Sequence, residues 1–149
     1  MSVRRKYEIE SPEALNDIVQ KCLEYWSGPQ IVLLHGALGT GKTTLVQLFA
    51  RALGSRDEVS SPTYALIQEY EGSNEVIYHV DLYRLEDPLE LRTEIGLDEV
   101  LDNGRWVFIE WPDLAEDLLQ AYEVKRIKIE HRGGNSRNII VLDNESQAE

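Results

Sequence analysis

Apolar residues recur with helical spacing near the start of the chain. Leu15, Ile18, Val19, Cys22, Leu23 and Trp26 fall on one helix face. Ser11, Pro12 and Glu13 precede them in the order of an N-cap, a first-turn proline and an acid that complements the helix dipole. Ser27, Gly28 and Pro29 end that stretch. A second amphipathic segment, residues 42–53, is predicted to turn Leu45, Leu48, Phe49, Ala52 and Leu53 inward, with Gly54 closing it. Residues 31–34 and 106–109 are apolar at every position, which predicts short strands covered on both faces. Further strands are predicted over 6–10, 64–70, 76–81, 125–130 and 138–142, and short helical pieces over 88–94, 97–101 and 114–121. Helices alternating with buried strands predict an α/β fold of three layers around a mixed central β-sheet.

At 149 residues the prior favours one domain, expected over 1–142. Residues 143–149 are polar without periodicity and are predicted to form a disordered tail. Cys22 is the single cysteine, so no internal disulfide or thiolate metal cage is available, and its place on an apolar stripe predicts a core thiol. The expected setting is cytoplasmic. No apolar run exceeds four residues, and the basic N-terminus lacks the apolar core of a leader, so no membrane span or export is expected.

The net charge of −12 is uneven: residues 86–117 carry −9 and residues 123–137 carry +3. A protein that grips nucleic acid through its phosphates is normally basic, so direct nucleic-acid binding by this chain alone is disfavoured. The acidic stretch reads as a solvated face or as one that meets a basic partner.

Gly36 to Thr43 match G-x-x-x-x-G-K-[ST], the P-loop pattern, between a buried strand and an amphipathic helix. Gly36, Gly39 and Gly41 let the backbone curl close to phosphates. The loop amides of Leu38, Gly39, Thr40, Gly41, Lys42, Thr43 and Thr44 then form an anion nest at a helix N-terminus. Lys42 would place a charge on the β- and γ-phosphates, and the Thr43 hydroxyl is a hard oxygen suited to Mg2+. Asp81 and Glu110 end two apolar strands, where such a fold keeps the acids that hold metal or orient water. The fold expected is therefore a P-loop NTPase.

Four segments together carry a more specific likeness. Residues 36–44, the Ser61-Pro62-Thr63 triplet, the run His79-Val80-Asp81-Leu82-Tyr83-Arg84-Leu85 and the string Ile109-Glu110-Trp111-Pro112 resemble the TsaE family in order and spacing, over residues 8–142. The resemblance implies a small P-loop ATPase, using ATP/ADP and Mg2+, needed to make threonylcarbamoyladenosine in tRNA. It implies Thr43 and Glu110 as metal ligands and Asp81 as a metal- or water-orienting acid. It makes the segments holding Ser61, Thr63 and Arg84 switch-like. It also implies protein partners in the threonylcarbamoyl-transferase machinery, with tRNA reached through that complex.

Other candidates are set by position. Thr63 would approach the γ-phosphate or the attacking water, and Arg84 would meet phosphate charge or a partner. Ser11 and the 132–137 turn, with Arg132 and Gly133, flank the sheet where a base and ribose would lie. The three histidines show no ligand spacing, and no G-x-S-x-G occurs. GTP is disfavoured because no Asn-Lys-x-Asp occurs. Two alternatives stand beside the ATPase: a small-molecule kinase, and a non-catalytic nucleotide-gated assembly module.

Overall fold

The all-apolar run predicted to be central is central. Strand β2 (Ile31–His35) sits in the middle of a seven-stranded sheet of order β1-β7-β6-β2-β5-β4-β3. The computed structural model describes residues 3–37, 39–56, 67–83, 85, 87, 89 and 96–146. The other strands are β1 (Val3–Ile9), β3 (Ile67–Glu71), β4 (Val76–Asp81), β5 (Trp106–Glu110), β6 (Glu123–Gly133) and β7 (Ser136–Ser146). The helices are α1 (Leu15–Tyr25), α2 (Lys42–Ala52), α3 (Leu97–Asp102) and the single turn α4 (Glu116–Leu119). The sheet is mixed. β2 runs parallel to both β5 and β6, and β4 is parallel to β5. The β1–β7, β6–β7 and β3–β4 pairs are antiparallel.

Strand alternation sends two cores to opposite faces. Val32, Leu34, Trp106 and Phe108 join the helical stripe of α1 and α2. Ile31, Leu33, Val107 and Ile109 join Leu97, Leu101 and Leu119 from α3 and α4. This is the expected three-layer architecture. On α2 the buried residues are Leu45, Val46, Phe49 and Ala50, together with Lys42. Ala52, expected inward, is exposed and lines a cleft between α1 and α2. Among the described residues no helix is long and apolar enough to cross a membrane. The expected helix over 88–94 and the strand residues 64–66 fall almost wholly outside the described residues.

The disordered tail expected over 143–149 is corrected for residues 143–146, and residues 147–149 lie outside the described residues. β7 continues to Ser146, so the break expected at 142 falls inside a strand. Asp143 pairs with Val3 in the ladder, is buried, forms an ion pair with Arg5, and accepts a hydrogen bond from Trp26 Nε1 at 2.9 Å. A polar residue that reads as tail is here a buried acceptor with two donors. Cys22 is also buried, and burial pushes its thiol up to about 12, which makes it inert.

The acidic and basic stretches of the chain meet at one forked pair. Arg126 donates through Nη2 to Glu116 Oε1 at 2.8 Å and through Nη1 to Glu116 Oε2 at 3.0 Å. These bonds hold the Glu116 carboxyl below its usual range. A lowered folded pKa gives stability that is present above the unfolded value, about 4.3, and lost as pH falls through the folded one. Glu116→Gln is therefore expected to lower the melting temperature near neutral pH, with the difference from the parent protein shrinking as pH falls from the unfolded value through the lowered folded one. Thermal unfolding of both proteins across pH checks this; a constant difference at every pH would contradict it.

Candidate nucleotide and metal site

Parallel pairing brings the ends of three central strands to one edge. Asp81 at the end of β4 is in register with Glu110 at the end of β5, and Leu34 of β2 is in register with the same Glu110. The chain leaves β2 into the glycine loop and enters α2 at Lys42. Ligands of open α/β sheets bind at this edge, beyond the carboxyl ends of the strands.

The glycines are needed as glycines. Gly36, Gly39 and Gly41 all have positive φ, at 155°, 78° and 110°. A Cβ at Gly36 would lie 2.7 Å from the Ile129 carbonyl oxygen and 2.8 Å from Thr40 Oγ1, so β6 presses directly on the loop. The Thr40 hydroxyl donates to the Ala37 carbonyl at 2.8 Å and braces the loop from within. Leu38 lies outside the described residues.

A cavity of about 330 Å3 opens above the loop, lined by Gly39, Gly41, Lys42, Thr43, Thr44, Asp81, Tyr83, Glu110 and Trp111. Lys42 is buried there. Its Nζ donates to the Gly36 carbonyl at 2.6 Å and lies 3.4 Å from the centre of the Trp111 ring. Burial pushes its ammonium down from the usual lysine value. Trp111 has φ 56°, the one positive φ outside glycine among the described residues, and Tyr83 packs on it at 4.9 Å between ring centres. That backbone costs about 1–3 kcal/mol, and the Lys42–ring contact offsets about 0.5–2 kcal/mol of it.

Thr43 Oγ1 donates to the buried Glu110 carboxylate, 3.1 Å from Oε2 and 3.3 Å from Oε1. Asp81 Oδ1 accepts the Tyr83 amide at 3.0 Å, and burial pushes the Asp81 carboxyl up. A hydroxyl in contact with a carboxylate, with a second carboxylate in register, is a hard-oxygen set that fits Mg2+. Among the described residues no group of three or more His, Cys, Asp or Glu is placed to hold a metal alone. Mg2+ keeps waters and takes phosphate oxygens alongside one or two protein ligands.

A second cleft, about 530 Å3, adjoins this cavity through Thr44 and runs between α1 and α2 past Pro12, Glu13, Asn16 and Leu48. The β6–β7 turn stands beside the same region. Arg132 lies 3.5 Å from Glu10, Ser136 donates to Glu10 at 2.8 Å, and Arg137 Nε donates to the Thr40 carbonyl at 3.3 Å. Ser11 makes no side-chain cap; its carbonyl accepts the Ala14 amide of a 3-10 turn that leads into α1. Ser11, Arg132 and Gly133 are thus gathered on the α1 side of the loop, whereas Ser61, Thr63 and Arg84 lie outside the described residues.

A family model described as "Threonylcarbamoyl adenosine biosynthesis protein TsaE" matches residues 9–139. The chain belongs to the TsaE family. It is 34% identical over 134 residues, 90% of this chain and 82% of the relative, to the tRNA threonylcarbamoyladenosine biosynthesis protein TsaE of Bacillus subtilis. It is 32% identical to the protein of that name from Rickettsia conorii, over 95% of this chain and 79% of the relative. The crystal structure of Bacillus subtilis YdiB superposes with a TM-score of 0.75 at 28% identity, covering 97% of this chain and 88% of that one.

Within this TsaE-family chain, Lys42, Thr43, Asp81 and Glu110 line one cavity. Three site neighbours were not among the candidates: Trp111, Tyr83 and His79. Trp111 follows the acid in Glu110-Trp111-Pro112, so adjacency was the available signal. His79 is two residues before Asp81, which puts both on one strand face.

Proposed function

We propose that the chain is a Mg2+-dependent ATPase that acts with partner proteins in threonylcarbamoyladenosine biosynthesis, slow alone and controlled by that assembly. The observation that carries this reading is the contact of the Thr43 hydroxyl with Glu110 at the lip of a glycine loop that opens on Lys42. The triphosphate occupies the polar cavity. Lys42 leaves Trp111 for the β- and γ-phosphates, and the loop amides cradle the chain of phosphates. Mg2+, when bound, neutralises developing phosphate charge. Thr43 and Glu110 hold it, and Asp81 orients it or the attacking water. The base and ribose enter the cleft beside Thr44, near Ser11, Arg132 and Gly133, which has room and apolar lining for a purine. The missing guanine-reading motif disfavours GTP.

The nucleotide state controls association through the Ser61–Thr63 and Asp81–Arg84 segments, which a γ-phosphate would order. The charge of −12 leaves tRNA to the partner complex and suits a cytoplasmic setting without membrane attachment. Two carboxylates at the phosphate end favour chemistry over the non-catalytic module, and an acidic 86–117 stretch in place of an arginine-rich lid counts against the kinase.

The test is ATP hydrolysis by the chain alone and with the threonylcarbamoyl-transferase proteins added, with Lys42→Ala as control. That variant loses a charge-assisted contact of about 1.5–3 kcal/mol, so calorimetric affinity for Mg-ATP is expected to fall roughly 10- to 150-fold. Unchanged affinity, or no hydrolysis in either setting, contradicts the reading.

A further inference from the structure

His79 is fully buried on β4, yet it is not packed as a passive core residue. Its Nε2 lies 2.5 Å from Glu110 Oε2. The carboxylate can only accept, so Nε2 carries the proton and donates. The other ring nitrogen, Nδ1, is buried and has no hydrogen-bond partner among the described residues. The core thus leaves one ring nitrogen unsatisfied while the other is aimed at the site acid.

Position explains the aim. Ile77, His79 and Asp81 share the strand face turned toward α1 and α2, and β5 sets Phe108 beside His79 and Glu110 beside Asp81. The Glu110 side chain leans back along β4 to reach the ring. Glu110 then has two donors of different character. Thr43 approaches from the first turn of α2, at the ligand cavity, whereas His79 approaches from a strand sealed in the core. Buried carboxylates that meet a cation are commonly oriented by a second group of this kind.

We propose that His79 is a positioning residue: its Nε2–H fixes one oxygen of Glu110, so the carboxylate is already oriented when Mg2+ and nucleotide arrive. The role rests on the Mg-ATP reading above. His79 touches neither nucleotide nor metal, so its influence appears in the metal dependence of binding and turnover.

The experiment compares His79→Leu, which removes the donor, with His79→Gln, whose amide can still donate, and His79→Asn, whose amide is one methylene short. Calorimetry measures ATP affinity in Mg2+ and in EDTA, and hydrolysis is titrated with Mg2+. His79→Leu and His79→Asn are expected to raise the half-saturating Mg2+ about 10- to 100-fold, with EDTA affinity within about twofold of the parent. His79→Gln recovers most of the loss. If His79→Leu loses its thermal transition, the Asn and Gln pair decides. An unchanged Mg2+ requirement in His79→Asn, or His79→Gln no better than His79→Asn, overturns the positioning role. A parent protein whose ATP affinity is the same in Mg2+ and EDTA overturns the Mg-ATP reading instead.

Discussion

Glu110→Gln is expected to lower ATP turnover by about 100- to 1,000-fold while ATP affinity changes far less. The substitution keeps the size and the acceptor oxygen that His79 and Thr43 meet, and removes only the charge. Under the proposed mechanism that charge is a fixed ligand to the cation that stabilises the γ-phosphate as its bond breaks. A loss of this size is about 2.7–4 kcal/mol in the barrier. Ground-state affinity comes mainly from the loop amides and Lys42, which the variant leaves in place. Single-turnover hydrolysis with calorimetry on the same sample separates the two. Full turnover in Glu110→Gln would make the acid structural.

Phe49→Ala is expected to cost about 3–5 kcal/mol of folding stability. Phe49 is fully buried on α2 and is one of four rings in an aromatic cluster. It stacks on Trp26 at 6.0 Å between ring centres and meets Phe108 at 4.9 Å, and Trp106 lies 5.9 Å beyond Phe108. Three large rings on two elements cannot collapse into the space that a phenyl leaves, so the cavity term persists. The cluster also seats the helix that begins at Lys42 on the strand that ends at Glu110. The variant should therefore lose nucleotide affinity at temperatures well below its melting point. Denaturant unfolding measures the first effect, and a cost under about 1 kcal/mol would show that the site repacks.

The parts of the fold that were legible in sequence are those where one physical demand dominates. Residues 31–34 and 106–109 could only be strands covered on both faces, and they form the sheet centre. The glycine loop was legible because its chemistry tolerates few substitutions, and Gly36 against Ile129 shows why. Helix α2 was placed correctly, but Val46 and Ala50 were missed because a helix lying on a sheet buries a broader stripe than a minimal one. Asp143 was read as tail because its partners, Arg5 and Trp26, are more than a hundred residues away. The same limit applies to His79. Its relation to Glu110 exists only once β4 and β5 are side by side, and spacing along one strand carries no trace of it.

The pairing of β1 with β7 sets an order on how the molecule can be made. Strand β1, made before the other described strands, has one hydrogen-bonded neighbour among them, and that neighbour is β7, the last of them in chain order. Residues 3–9 must therefore wait, with their arginines and lysine in water, while the rest of the domain is translated. Such long-range closure slows folding and leaves β1 unpaired until β7 is made. The charges on Arg4, Arg5 and Lys6 keep the waiting segment from pairing with other nascent chains, and the Arg5–Asp143 ion pair then locks it when its partner arrives.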